Sequence, residues 1–250
     1  MCNDGDMAEL LLRPVSARSA VLTTLLALHP PRLTAAELVA NMERLGFTET
    51  ATRAALSRMV ARGDLVRDAT AYTLSERLLE RQREVDAVHH PQTREWRGSW
   101  EMAIVTTAGR SAADRAALRT QLQSLRVAEL REGVWTRPAN LLRGWPEELT
   151  AISECFEARP LGDPAALAAD LWDLESWAAH GHRLLKALPG TSDPADRFTL
   201  VAAMVRHLQS DPLLPPELSP ADWPGDALRA AYDEYRTQTW GPVPGGTGVT

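Results

Sequence analysis

The stretch TRAALSRMVARGDL, Thr52–Leu65, reads as most of a helix, a glycine stop and entry into a strand. Ala55, Leu56, Met59 and Val60 form an apolar stripe that can pack on other helices. Thr50, Arg53, Ala54 and Ser57 recur at helical spacing on the opposite face, which is small and polar around one central Arg. Such a face can enter a DNA major groove closely. Arg can fork onto guanine O6 and N7, and Ser or Thr reaches a base edge or a phosphate. Arg58 and Arg62 lie toward the flanks and suit phosphates, which position a helix without reading sequence. A plain solvated face in a small three-helix domain would carry the same pattern.

The flanks favour the DNA reading. Upstream, Ala17–Leu28 is an apolar helix with Val21, Leu22, Leu25 and Leu26 on its buried side, stopped by Pro30 and Pro31. Thr34 with Glu37 is a capping box that opens a second helix to about Leu45, ended by Gly46. Thr48 or Thr50 then caps the third helix, which Gly63 ends. Two helices joined by a tight turn containing Gly make the helix-turn-helix signature. Downstream, Leu65–Asp68 and Tyr72–Leu74 are short β-prone runs around Ala69–Ala71, a hairpin or wing whose only nearby cation is Arg67.

Overall charge counts against DNA binding, and its distribution along the chain softens the objection. The net charge is −6, yet residues 13–86 hold 11 Arg against 9 acidic residues, and the acidity gathers elsewhere. Lys186 is the one lysine in the chain. No run of about 18 apolar residues exists, and no basic region leads the first residues into a signal-peptide core. Cys2 and Cys155 offer no disulfide framework or cysteine-based zinc site. A cytoplasmic location is expected.

Further along, Trp100–Thr107 alternates as a strand, and Ser111 with Asp114 opens a helix through Leu125, striped by Leu118, Leu122 and Leu125. Val127–Leu130 and Val134–Arg137 read as paired strands, Pro146–Leu149 as a short helix and Ala151–Ala158 as a strand. The count fits β-α-β-β-α-β. The expected organisation is α+β and multidomain: a flexible 1–15, a winged helix-turn-helix over 16–90, a ferredoxin-like domain over 96–160, a helical effector and dimerisation domain over 163–240, and a disordered 241–250.

In the helical part Trp172 and Trp177 suit a flat acyl or aryl ligand, and Arg183, Lys186, Arg197 and Arg206 suit its phosphates. Core packing and surface ion pairs explain the same residues. His180 and His182 flank Gly181, with His207 or Asp173 available, but this spacing is a weak metal signal and no metal site or other cofactor is expected. There is no G-x-S-x-G, H-E-x-x-H or Walker loop, so an enzyme is not expected. A metal-dependent nuclease or hydrolase on the ferredoxin-like domain is the alternative, although Glu101 is the only acid on its first strand. A dimerising scaffold that binds no DNA is the third possibility.

Three quoted stretches carry a resemblance. The N-terminal segment with TRAALSRMVARGDL at its centre, GSWEMAIV (Gly98–Val105) followed by LREGVWTRP (Leu130–Pro138), and DPLLPPELSPADWPG (Asp211–Gly225) resemble, in order, the three parts of PaaX-type repressors. The resemblance implies a winged helix, a ferredoxin-like middle domain and a helical C-terminal domain. It also implies a homodimer on an inverted-repeat operator in double-stranded DNA, repressing an aromatic-acid catabolic operon and released by an aryl-acyl-CoA such as phenylacetyl-CoA. The wing departs from the family pattern by lacking several basic and aromatic residues.

Overall fold

The computed structural model of the chain describes residues 15–107 and 109–241, with Glu84 described by its backbone alone. The termini expected to be flexible, 1–15 and 241–250, lie outside the described residues except for Val15 and Gly241. Among the described residues no helix is long and apolar enough to cross a membrane. The chain is a mixed α and β protein with two antiparallel sheets, and it divides into two compact units. One unit runs to His89 and takes in His180–Gln209 and the chain from Pro224. The other is His90–Ala179 with Ser210–Trp223.

The first unit begins with α1 (Ala17–Leu26), β1 (Arg32–Thr34), α2 (Ala35–Arg44) and α3 (Glu49–Ala61). Thr34 and Glu37 form the expected reciprocal cap, with Glu37 N at 3.2 Å from Thr34 Oγ1 and Thr34 N at 2.7 Å from Glu37 Oε2. Thr48, not Thr50, caps α3 by accepting from Ala51 N. Gly63 follows α3 at φ 71°, a left-handed position that only glycine adopts without strain. Next come β2 (Leu65–Arg67), β3 (Ala71–Leu74) and α4 (Glu76–His89).

The hairpin is one strand wider than the sequence suggests. β1 pairs with β3, with Leu33 opposite Tyr72, so the sheet runs β1-β3-β2. Three residues after two prolines give too short a pattern to read as a strand, and the partner strand supplies the hydrogen bonds that make it one. Ala20, Val21, Leu25, Leu38, Met42, Leu56 and Met59 form the heart of this unit with Leu65, Tyr72 and Leu74. Phe198 and Val201 of α9 (Pro194–Leu208) and Tyr232 and Tyr235 of α10 (Gly225–Trp240) complete the same core. Burying each such side chain contributes about 1.5–3 kcal/mol, so α9 and α10 are structural partners of α1–α3. Gln82 of α4, itself buried, donates from Nε2 to the carbonyls of Leu26 at 2.9 Å and Leu28 at 2.8 Å. It thereby satisfies acceptors that the end of α1 leaves open.

The second unit contains β4 (Trp100–Val105), α5 (Ala112–Ser124), β5 (Ala128–Arg131), β6 (Val134–Pro138), α6 (Glu147–Thr150) and β7 (Ser153–Ala158). All neighbours are antiparallel in the order β5-β6-β4-β7. Alternation along the strands sends Trp135 to a cluster with Leu118, Leu122 and Leu149, and Trp100 to another with Ala168 of α7 (Pro164–Leu171) and Leu218. The sheet is therefore covered on both faces. Residues 163–240 are shared between the units: α7 belongs to the second, α9 and α10 to the first, and α8 (Leu174–Ala187) passes from one to the other.

Arg137 of β6 is fully buried. Its Nη1 donates to the carbonyls of Pro212 at 3.1 Å and Arg126 at 3.3 Å. Its Nη2 donates to Leu213 O at 3.0 Å and to Asn140 Oδ1 at 2.7 Å, while Nε donates to Pro138 O at 3.0 Å. Glu101 lies 3.4 Å from Nε. Burial pushes the guanidinium pKa down to about 9, with Glu101 opposing, so Arg137 stays charged at neutral pH.

Candidate nucleic-acid interface

Helix α3 is anchored by one side and open on the other. Thr52, Ala55, Leu56 and Met59 are buried. Thr50, Arg53, Ser57, Arg58 and Arg62 are exposed and Ala54 is half-buried, so the structure gathers the six residues on the outward part of one helix and its C-cap. Ala54 keeps the middle of this face low.

Arg53 Nε donates to Glu49 Oε1 at 2.7 Å, and both side chains are more than half exposed. An exposed pair one turn apart contributes about 0.3–0.5 kcal/mol, enough to orient Arg53 but not to lock it. Helical i,i+4 spacing permits this pair, and the side-chain rotamers form it.

The seat of α3 rests on a residue that the sequence reading passed over. Asp64, just beyond Gly63, is buried and accepts from Arg18 Nη2 at 2.8 Å and from Arg77 Nη2 at 2.7 Å. It ties the end of α3 to α1 and α4. The two arginines reach it from 46 residues before and 13 after, which no local pattern reveals.

At the hairpin tip Asp68 Oδ1 accepts from the backbone N–H groups of Thr70 at 2.8 Å and Ala71 at 2.7 Å. Its Oδ2 accepts from Arg32 Nη2 at 2.6 Å. Arg67 stands over the Tyr72 ring with 5.6 Å to its centroid. β1 thus brings Arg32 to a tip that the sequence credited with Arg67 alone.

The amides of Thr70 and Ala71, with Arg32, hold the Asp68 carboxyl well below the usual carboxylate range. A depressed folded pKa contributes stability that is present above the ordinary value of 3.8 and is lost as pH falls below it. Asp68→Asn is therefore expected to flatten the acid limb of the thermal-unfolding midpoint plotted against pH. An unchanged acid limb in that variant would remove Asp68 from the hairpin's stability.

Of the six residues expected to hold an effector, Trp172 and Trp177 belong to the second unit and Arg183, Lys186, Arg197 and Arg206 to the first. Trp172 packs near Trp100, with ring centroids 6.5 Å apart, and belongs to the core cluster on one sheet face. Trp177 stacks on Trp223 at 4.2 Å and donates from Nε1 to Ser210 Oγ at 3.0 Å. Arg183 Nη2 lies 3.2 Å from His180 Nδ1, and Lys186 and Arg206 are exposed.

Arg197 is different, because it lines a pocket of about 290 Å³ inside the first unit. Arg44, Phe198, Tyr235 and Trp240 line the same pocket. Aromatic residues at helical spacing read as core there, and only the fold sets them beside Arg44.

His180 meets His207 edge-on at 4.8 Å, and burial with the nearby Arg183 lowers its pKa. Among the described residues no group of three or more His, Cys, Asp or Glu is placed to hold a metal ion.

Three family models match the chain in order. They are described as PaaX-like protein over residues 16–78, PaaX protein central Cas2-like domain over 93–159, and PaaX-like protein C-terminal domain over 173–242. Among solved structures the chain is similar to the uncharacterized protein Rv0674 from Mycobacterium tuberculosis. The two share 50% identity with a TM-score of 0.80, over 90% of this chain and 95% of that one. A comparison with curated proteins finds no match.

Proposed function

The chain belongs to the PaaX-like protein family, and from that premise we propose that it is a cytoplasmic DNA-binding transcriptional repressor rather than an enzyme. In this reading residues 16–90 are a winged helix-turn-helix, α3 enters the major groove, and the β2–β3 hairpin is the wing. The observation that carries it is α3 itself: its inner side is buried, and its outward side presents Thr50, Arg53 and Ser57 around the small Ala54. Arg58 and Arg62 flank that face as phosphate contacts. The strand order β5-β6-β4-β7 supports a ferredoxin-like reading of the middle domain. The protein acts as a homodimer on an inverted repeat with half-sites about one helical turn, roughly 34–36 Å, apart. An aryl-acyl-CoA such as phenylacetyl-CoA releases it.

Fluorescence anisotropy of the full chain on DNA from its own promoter region tests this, first across a salt series and then with phenylacetyl-CoA. Tight, salt-sensitive and sequence-selective binding reversed by the thioester is the expected result. Binding no better than to random DNA at every salt concentration would overturn the reading. In the same assay Arg58→Ala is expected to weaken all sequences alike and to reduce the salt slope by about 0.9. A sequence-dependent loss would mean that Arg58 reads bases.

A further inference from the structure

The sheet of the second unit ends in β5 on one side and β7 on the other, and the two edges are built differently. β5 is four residues long, shifts register against β6 between Glu129 and Arg131, and carries both of those charges. Such features blunt an edge against further pairing. β7 pairs with β4 along all six of its residues without a shift. It contains no proline or lysine and holds Phe156, 51% exposed, near its middle. An edge of this kind is a template for another strand.

We propose that β7 is the contact between two copies of this chain. Each β7 lies antiparallel to the other about a twofold axis at Phe156, so that two four-stranded sheets become one of eight. The inference rests on the homodimer reading above and names its interface, the sheet of the second unit in place of the helices over 163–240.

Backbone direction makes the pairing possible. Thr106 N donates to Ile152 O at 3.0 Å, just before β7 begins. Ladder alternation then turns the N–H and C=O groups of Glu154, Phe156 and Ala158 toward β4, and those of Cys155 and Glu157 away from it. Outside the β4 ladder, no described residue hydrogen-bonds the backbone of Cys155 or Glu157.

The side chains choose the occupant and the register. A twofold between identical antiparallel strands sets one residue opposite its own copy. Glu154 or Glu157 at the axis would set two carboxylates face to face, which is destabilising. Ser153 or Ala158 at the axis would leave most of β7 unpaired, because the strand ends there. Cys155 at the axis would press each Glu154 against the Phe156 ring of the other copy. Phe156 at the axis has none of these faults. Glu154 then faces Ala158 and Cys155 faces Glu157, so no like charges stand directly opposite. The two Phe156 rings meet at a non-hydrogen-bonded pair, where Cα atoms are about 4.5 Å apart and side chains are closest. The two glutamates thus penalise wrong registers and leave one self-pairing open.

Sedimentation velocity of the full chain across a concentration series reads this interface without DNA. The parent is expected to be dimeric. Phe156→Arg sets two guanidinium groups face to face and is expected to raise the dimer dissociation constant about tenfold or more, with circular dichroism confirming the fold. Phe156→Cys, combined with Cys2→Ser and Cys155→Ser, reads the register directly, because thiols facing each other at that spacing close a disulfide on mild oxidation. A covalent dimer on a denaturing gel is expected, and Glu154→Cys in the same background is expected to give none. Cross-linking through native Cys155, and none through position 156, would move the axis and overturn the Phe156 register. A parent dimer that Phe156→Arg leaves intact, with no cross-link at position 156, would overturn the β7 interface and leave the homodimer on other contacts. A parent that stays monomeric at every concentration would defeat the homodimer reading itself, and this interface with it.

Discussion

Arg137→Met is expected to destabilise the protein by about 3–5 kcal/mol, the cost typical of breaking a buried charge network from one side. Methionine fills the space of the stem but donates no hydrogen bond. The carbonyls of Arg126, Pro138, Pro212 and Leu213 and Oδ1 of Asn140 would each lose the donor that Arg137 gives them. Two of those carbonyls belong to Arg126 at φ 64° and Leu213 at φ 54°, non-glycine residues in the left-handed region. Such conformations cost about 1–3 kcal/mol each and persist only when their surroundings hold them. The guanidinium is part of what holds them, so its loss removes the compensation and leaves the strain. Urea unfolding followed by tryptophan fluorescence would show this as a lower midpoint, and Arg137→Lys should fall between, since one ammonium cannot reach all five acceptors. An unfolding free energy within about 1 kcal/mol of the parent for Arg137→Met would mean that water replaces the guanidinium at little cost, and would overturn this role.

The second large effect concerns DNA. Arg53→Ala is expected to cost about 1–3 kcal/mol on the operator and to relax specificity at one base pair, leaving binding to random DNA nearly unchanged. Arg53 must first leave Glu49, but that pair contributes only about 0.3–0.5 kcal/mol, so a guanine outcompetes it. Glu49→Gln should accordingly tighten binding, because it frees Arg53 and removes a negative charge facing the phosphates. Anisotropy against an operator series with single base changes measures both variants. Equal losses on every sequence for Arg53→Ala would make Arg53 a phosphate contact and move base reading to Thr50 and Ser57.

The local elements were legible because local rules decide them. The capping boxes at Thr34 and Ser111, the glycine after α3, the apolar stripe of Ala55, Leu56 and Met59, and the alternation around Trp100 each act within a few residues. The outward face of α3 follows from the stripe, since burying one side of a helix exposes the other. The three stretches resembling PaaX-type repressors could likewise be recognised as text, in order along the chain.

Tertiary structure alone decided what those stretches do to one another. Glu101 and Arg137 lie in the two halves of the second stretch and Pro212 and Leu213 in the third, and they meet around one buried guanidinium. In sequence Arg137 is an ordinary cation in a strand, and nothing local says that it is fully buried. The same holds for Asp64 between Arg18 and Arg77, for β1 beside β3, and for Phe198 and Tyr235 closing the core of α1–α3. Periodicity states that a face must be covered but not by which distant segment. That choice depends on shape, on which carbonyls remain without donors, and on where opposite charges can be brought out of water together, and only the folded chain resolves these at once.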